Sequence, residues 1–379
     1  MPKSHALEAT NRLKRMTNRI ECIKSSAIRK IMDKASQRSE VVNLSIGQPD
    51  FLVPKEVKDS LKKSIDDNYT GYTPSAGITG LRDKIIKKHN TEDAIVTSGV
   101  TAAIFLTYST LLEAGDELII PEPYFVVYPD LCKFLNAKPV IVNTNKDFSL
   151  DIKAIESAIT NKTKAIIINH PNNPTGKIYS QEELSELVQI ANENDLWIIS
   201  DEVYEAFDYE NKFQSIKELY EKVIVLNGFS KNLSMTGLRI GYATGPREII
   251  KDMVKLQQYS FVCAPSISQW AVLENFDLKI NETIEKFRKR RNRVYDKLNR
   301  HFNLTFPRGA FYFFLGLPKN VTGEEFADKC LENNLLIVPG EAFTKEKNYV
   351  RISYATDPNT LDRGCEILIK TLNEMKNGT

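Results

Sequence analysis

From about residue 94 to residue 245 the chain alternates short β-branched apolar runs with amphipathic segments. Runs at 94–97, 117–120, 139–142, 165–169, 197–200, 223–226 and 239–244 read as strands. Between several of them, 101–112, 152–159 and 181–192 carry helical spacing, and Ser180 with Glu183 makes a capping box for the last. Alternating strands and helices predict an α/β unit, a mostly parallel sheet covered on both faces. Ligands of such sheets bind outside the carboxyl ends of the strands, where helix N-termini also point. A charged helical stretch at 281–301 leads out of this unit. Beyond it, 310–315, 336–338 and 349–354 read as strands, and 324–333 and 361–375 as helices, a smaller α+β unit. Near the N-terminus Leu13, Met16, Ile20 and Ile23 recur at helical spacing, and a further helix around 26–36 is expected to join the smaller unit.

Composition narrows the function classes. The 379 residues exceed one simple core and suit two domains. Net charge is +2, from 51 basic and 49 acidic residues, which gives no electrostatic case for nucleic acid or a membrane surface. No apolar run approaches the roughly 18 residues of a membrane span, and the N-terminus has no apolar signal core. Five scattered cysteines, without a C-x-x-C pair, predict reduced thiols in a cytoplasmic setting rather than disulfides or zinc. Four dispersed histidines argue against a metal centre.

The chemistry-bearing residues fall just after the strand runs. Lys231, in Gly228-Phe229-Ser230-Lys231, has small neighbours that leave room for a bulky group against its amine. Arg239, eight residues on, supplies a permanent planar cation for an oxyanion. A carbonyl-trapping lysine beside a phosphate-holding guanidinium suits a pyridoxal-phosphate (PLP) enzyme, though a surface lysine in a turn reads the same way. Asp201, in Ser200-Asp201-Glu202-Val203-Tyr204, would pair with a protonated pyridine nitrogen or cap a helix. Asn173, in His170-Pro171-Asn172-Asn173-Pro174-Thr175-Gly176, would donate to a phenolate-type oxygen or serve a plain turn. Val100 and Thr101 open a helix after Gly99, where free N–H groups and the Thr101 hydroxyl make a phosphate seat. Phe125 would stack on a ring or fill the core. Arg351, in an otherwise apolar strand, calls for an anion, either a substrate carboxylate or a structural acid. There is no G-x-G-x-x-G and no Walker A lysine.

In this order the motifs resemble those of the class I/II aminotransferases of PLP fold type I, nearest the aspartate and aromatic aminotransferase subgroup. They are Asn43-Leu44-Ser45-Ile46-Gly47-Gln48-Pro49-Asp50-Phe51, Gly71-Tyr72 through Arg82, Pro121-Glu122-Pro123-Tyr124, Asn172 to Gly176, Asp201 to Tyr204, the Lys231 stretch, Pro307-Arg308-Gly309-Ala310-Phe311-Tyr312 and Arg351-Ile352-Ser353. The resemblance spans nearly everything from Ile20 to Glu374 and implies a seven-stranded, mostly parallel sheet in a large domain (49–289). It implies a small α+β domain from both termini (1–48 and 290–379), with pyridoxal 5'-phosphate as cofactor. It implies that Lys231 condenses with the cofactor aldehyde and then moves a proton between substrate Cα and the cofactor. Asp201 would hold the pyridine nitrogen, Tyr204 and Asn173 the 3'-oxygen, and Phe125 the ring face. Val100, Thr101, Ser230 and Arg239 would bind the phosphate, with Tyr72 crossing from the partner of a homodimer. Arg351 would clamp the substrate α-carboxylate, and Gly47 would pass close to the substrate. The chain departs from the family pattern at Gly228, where some members have Ser, and at Phe125, where many have Trp. Residues 343–347 lack the usual glycines, and Thr101 stands where some aspartate-specific relatives have Lys.

The activity so implied is transfer of an amino group between an L-amino acid and a 2-oxo acid in two half-reactions, with aspartate/aromatic or broad specificity. A PLP-dependent β-lyase or related eliminating enzyme shares these motifs, because the fate of the carbanion depends on pocket geometry. A regulator domain on this fold would bring a basic helix-turn-helix, which the roughly 40 residues before the first motif do not supply.

Overall fold

The structure is a computed structural model that describes residues 40–377 together with Ile20 and Ile23. The helices expected around residues 13–23 and 26–36 lie outside the described residues, except for Ile20 and Ile23. In chain order the strands are β1 (Val42–Asn43), β2 (Asp93–Thr97), β3 (Glu117–Glu122), β4 (Lys138–Asn143), β5 (Thr163–Asn169), β6 (Trp197–Asp201) and β7 (Val223–Gly228). They continue with β8 (Gly241–Gly245), β9 (Asn303–Leu304), β10 (Tyr312–Gly316), β11 (Leu335–Leu336), β12 (Val338–Pro339) and β13 (Tyr349–Ser353).

Seven of these build the main sheet in the order β2-β8-β7-β6-β5-β3-β4. All its pairs are parallel except those of β8, which runs antiparallel to both β2 and β7. The central strands are apolar on both faces, with side chains sorted by the period of two. Ile167, Ile199, Ile224 and Leu226 pack on one side with Leu106 and Met253, from helices Val100–Leu111 and Arg247–Ser260. Ile166, Ile168, Ile198, Val223 and Val225 face the other side, against Leu184 and Leu187 of helix Gln181–Glu193. Both faces being covered explains why these strands read as continuous β-branched runs. The capping box of that helix is present, Glu183 N donating to Ser180 Oγ at 3.2 Å and Ser180 N to Glu183 Oε2 at 2.8 Å.

The smaller unit is a four-stranded antiparallel sheet, β12-β13-β10-β9, beside the parallel pair β1-β11. The β1-β11 pair brings the N-terminal side of the chain onto the C-terminal unit. Helices Asn281–Leu298 and Pro358–Asn377 pack on it, and its core takes in Tyr204 and Phe207 from just after β6. Two expected strands differ in detail. The run 336–338 is split, because Leu336 pairs with Asn43 of β1 whereas Val338 pairs with Arg351 of β13. The run at 239–244 becomes regular only from Gly241, since Arg239 adopts φ 50°, a left-handed conformation that cannot continue a ladder.

Ile199 lies fully buried in β6 at the centre of the main sheet. Ile199→Ala is expected to destabilise the protein by about 2–5 kcal/mol, read as a lower denaturant midpoint at unchanged m-value.

Candidate active site

The carboxyl ends of the parallel strands converge on a cavity of about 290 Å³, near the lower end of the range of about 300–1,000 Å³ usual for small-molecule sites. Phe125 after β3, Asn173 after β5, Asp201 at the end of β6, and Ser230 and Lys231 after β7 all line it. Val100 and Thr101 at a helix start, with Arg239 before β8, close one end. The opposite wall comes from Ser45, Gly47, Tyr312 and Arg351 of the smaller unit. The cavity therefore lies between the main sheet and the antiparallel one, with polar groups supplied by both.

Lys231 Nζ donates to the Gly47 carbonyl at 2.6 Å and stands 6.0 Å from the Tyr204 ring centroid. Burial lowers its pKa to about 8, and the positive charges of Arg351 and Arg239 push the same way, while Asp201 opposes them. An amine that is half neutral near pH 8 is available as a base or nucleophile under mild conditions. Asp201 is 3% exposed. Its Oδ2 accepts from the Tyr128 hydroxyl at 2.6 Å and its Oδ1 from the Val203 N–H at 3.3 Å. Burial raises its pKa to about 6, and these two hydrogen bonds and Lys231 hold it from rising further.

The end lined by Val100, Thr101 and Arg239 offers groups that could hold an anion. Helix Val100–Leu111 has no side-chain cap among the described residues, and its first two residues, Val100 and Thr101, line the cavity. Gly99 sits at φ 81°, and a Cβ there would come within 2.3 Å of Arg239 Nη2. A Cβ at Gly241 would meet the Val100 nitrogen at 2.7 Å, so strand and helix end touch backbone to backbone. The Arg239 guanidinium is held at this end by the carbonyls of Thr236 (Nη1, 3.0 Å) and Ser98 (Nη2, 3.4 Å).

Arg351 is 2% exposed, yet its polar partners are neutral: Nη1 donates to Asn173 Oδ1 at 3.0 Å and Nη2 to the Ser45 carbonyl at 2.7 Å. Among the described residues its Nε is buried without a partner, and the rings of Tyr312 and Phe343 lie 4.5 and 4.8 Å from the guanidinium carbon. Burial lowers its pKa from the usual arginine value. A buried, singly charged cation with an unused N–H is placed for an incoming carboxylate.

The family model for aminotransferase class I and II matches residues 39–368. A probable aspartate aminotransferase of Methanocaldococcus jannaschii is 38% identical over 371 residues, 93% of this chain and 98% of that protein. The aromatic-amino-acid aminotransferase 2 of Thermococcus litoralis is 35% identical, with 95% and 99% covered. This chain belongs to the class I and II aminotransferases. A crystallised single mutant of the Thermus thermophilus aspartate aminotransferase superposes with a TM-score of 0.90 at 34% identity, covering 94% of this chain and 99% of that one. This aminotransferase thus has PLP fold type I.

In the aminotransferase, every residue singled out from sequence lines the cavity except Tyr72, which is 88% exposed beside Phe261 and Val262 in a separate shallow pocket. Sequence reasoning assigned no role to Tyr128, Tyr312, Ser45 or Asn169, which also line the cavity. Tyr312 shares a 2.8 Å hydroxyl contact with Tyr204, so the Tyr204 oxygen already has one partner. Asn169 ties the site's backbone together, donating from Nδ2 to the Asp201 carbonyl at 2.9 Å and accepting from Asn173 N at 2.7 Å. Tyr128 comes from helix Val127–Phe134, 73 positions from Asp201, and no local pattern marks it. Among the described residues no group of three His, Cys, Asp or Glu is arranged to hold a metal ion, and no helix is long and apolar enough to cross a membrane.

The Tyr128 hydroxyl stabilises the ionised form of Asp201, so its removal favours the protonated form. Tyr128→Phe is expected to move the Asp201 titration above about 6, read by carboxyl NMR on the cofactor-free protein.

Proposed function

We propose that this aminotransferase seats pyridoxal 5'-phosphate in the 290 Å³ cavity and moves an amino group between an L-amino acid and a 2-oxo acid in two half-reactions at that one site. The observation that carries this reading is the convergence of a buried carboxylate, an amine titrating near 8 and a buried guanidinium that has no acidic partner among the described residues. The residues present fit the cofactor, because its phosphate, ring nitrogen and ring face each meet matching chemistry. Helix N–H groups, Ser230 and Arg239 answer the phosphate, Asp201 the ring nitrogen, and Phe125 the ring face.

When bound, the cofactor supplies an aldehyde carbon that takes up the amino group and a cationic ring that accepts the electron pair left at Cα. Asp201, whose Oδ2 is occupied by Tyr128, keeps the ring nitrogen protonated through its remaining acceptor capacity. Phe125 is itself braced edge-on by Tyr128, centroids 5.7 Å apart. Arg351 takes the substrate α-carboxylate and so fixes Cα in reach of Lys231, whose neutral Nζ removes the Cα proton and returns it. Asn173 and Tyr204 would hydrogen-bond the 3'-oxygen. Tyr72, exposed in its own chain, fits the role of a residue lent to a partner's site in a homodimer. The large unit would take in residues 49–289 and the small one residues 1–48 and 290–379. The described cysteines Cys132, Cys263, Cys330 and Cys365 are unpaired, which supports a reducing, cytoplasmic setting.

The cations lining the cavity from the described residues are Lys231, Arg239 and Arg351, and all three have assigned tasks. With Ile46, Ile104 and Val203 as apolar lining, the reading is broad specificity that includes aromatic donors.

Lys231→Ala is expected to lower turnover by about 10²–10⁴-fold or more. A single-turnover panel of Asp, Glu, Tyr, Phe and Ala should convert the wild-type cofactor to its amine form and release a 2-oxo acid, whereas release of ammonia with unconverted cofactor would mark an eliminating enzyme instead. Arg351→Lys, which loses the planar fork, should raise KM for the amino acid by about 10–100-fold in steady-state assays.

A further inference from the structure

Glu122 ends β3, 4% exposed, and lies outside the cavity that holds the chemistry. Its Oε1 accepts from the Thr344 hydroxyl and from the Lys345 N–H, the latter at 2.6 Å, while its Oε2 is buried without a partner among the described residues. A second stitch lies two residues on, where the Tyr124 N–H donates to the Phe343 carbonyl at 3.0 Å. Strand β3 of the main sheet thus grips residues 343–345 of the smaller unit by three hydrogen bonds. The gripped residue Phe343 is fully buried, and its ring lies 4.8 Å from the Arg351 guanidinium carbon. On the other side of the grip, Tyr124 precedes Phe125, which lines the cavity.

We propose that Glu122 is a positioning residue for substrate recognition, a latch that fixes the 343–345 segment so that Phe343 holds Arg351 in the orientation that receives the substrate carboxylate. The assignment of Arg351 to the carboxylate rests on the function proposed above. A buried carboxylate used on only one oxygen is costly if its task is to satisfy a turn that water would otherwise solvate. The cost is explicable if the carboxyl group tethers one unit to the other by the Thr344 and Lys345 bonds. Residues 343–347 carry no glycine, so once gripped the segment has little freedom to shift. Among the described residues Arg351 has no acidic partner to fix its plane, and its alignment depends on the Asn173 and Ser45 contacts and on the two rings. Freeing Phe343 removes one of those constraints and leaves the direct hydrogen bonds of Lys231 and Asp201 in place.

The test uses the cofactor-loaded enzyme with three readouts: steady-state kinetics, calorimetric binding of 3-phenylpropanoate as an amine-free carboxylate, and hydrogen exchange of the 343–347 amides. Glu122→Ala should raise KM for the amino donor and the Kd for 3-phenylpropanoate by about tenfold, with kcat changed by less than about threefold and faster exchange at Lys345. Glu122→Gln, which keeps an acceptor, should recover most of the binding. If Glu122→Ala does not fold, Thr344→Val removes one of the bonds and should give a smaller shift in the same direction. Faster exchange with unchanged KM and Kd would overturn the proposal and leave Glu122 a structural turn residue. An equal fall of kcat and affinity, with cofactor loss, would overturn it as well. A wild-type enzyme that binds 3-phenylpropanoate yet transfers no amino group would instead sink the proposed function, while exchange and binding would still report on the latch.

Discussion

A guanidinium buried beside an amine is the constraint on which the site depends. Removing a cation from water costs several kcal/mol unless its donors are met, and Arg351 is met by groups from four separate stretches of chain. Asn173 follows β5, Ser45 follows β1, Tyr312 opens β10 and Phe343 precedes β13. Satisfying one side chain therefore locks the antiparallel unit against the carboxyl edge of the parallel sheet. The unused Nε proton remains as the standing demand for an anion.

The same cation acts at a distance on Lys231. Burial lowers the lysine pKa to about 8, with Arg351 and Arg239 adding to the fall. The opposite happens at Asp201, where burial raises the pKa to about 6. Environment thus brings an amine and a carboxylate toward neutrality from opposite sides, the arrangement that lets each exchange protons under mild conditions. Tyr128 tempers the carboxylate and braces Phe125, so one side chain sets both the charge and the packing of a wall.

Backbone proximity supplies what charge does not. The antiparallel strand β8 passes so close to the start of helix Val100–Leu111 that Gly241 has no room for a Cβ, and a Cβ at Gly99 would meet the Arg239 guanidinium. The helix end is thereby exposed to the cavity rather than padded by side chains, and Arg239, in its left-handed conformation, turns back over it. The positive φ that interrupts the apolar run at 239–240 is what places the guanidinium.

Local patterning by itself determined the α/β class, the seven strand runs of the main sheet, the helix Gln181–Glu193 with its cap, and the identity of Lys231, Asp201, Asn173 and Arg351 as groups of interest. These are legible because a two-residue or 3.6-residue period, a cap and a strand-end position are all short-range signals. Helix Val127–Phe134 escaped because it is eight residues long, with Pro129 near its start, and Tyr128 went with it. The run at 336–338 looked like one strand because hydrophobicity does not say which sheet a residue joins. Only the tertiary structure decided that Asp201 is gripped by a tyrosine 73 positions away, that Arg351 lacks an acidic partner among the described residues, and that Glu122 reaches 222 positions to Thr344. Those facts depend on long-range pairing and on burial, and both arise only when distant segments close around one cavity.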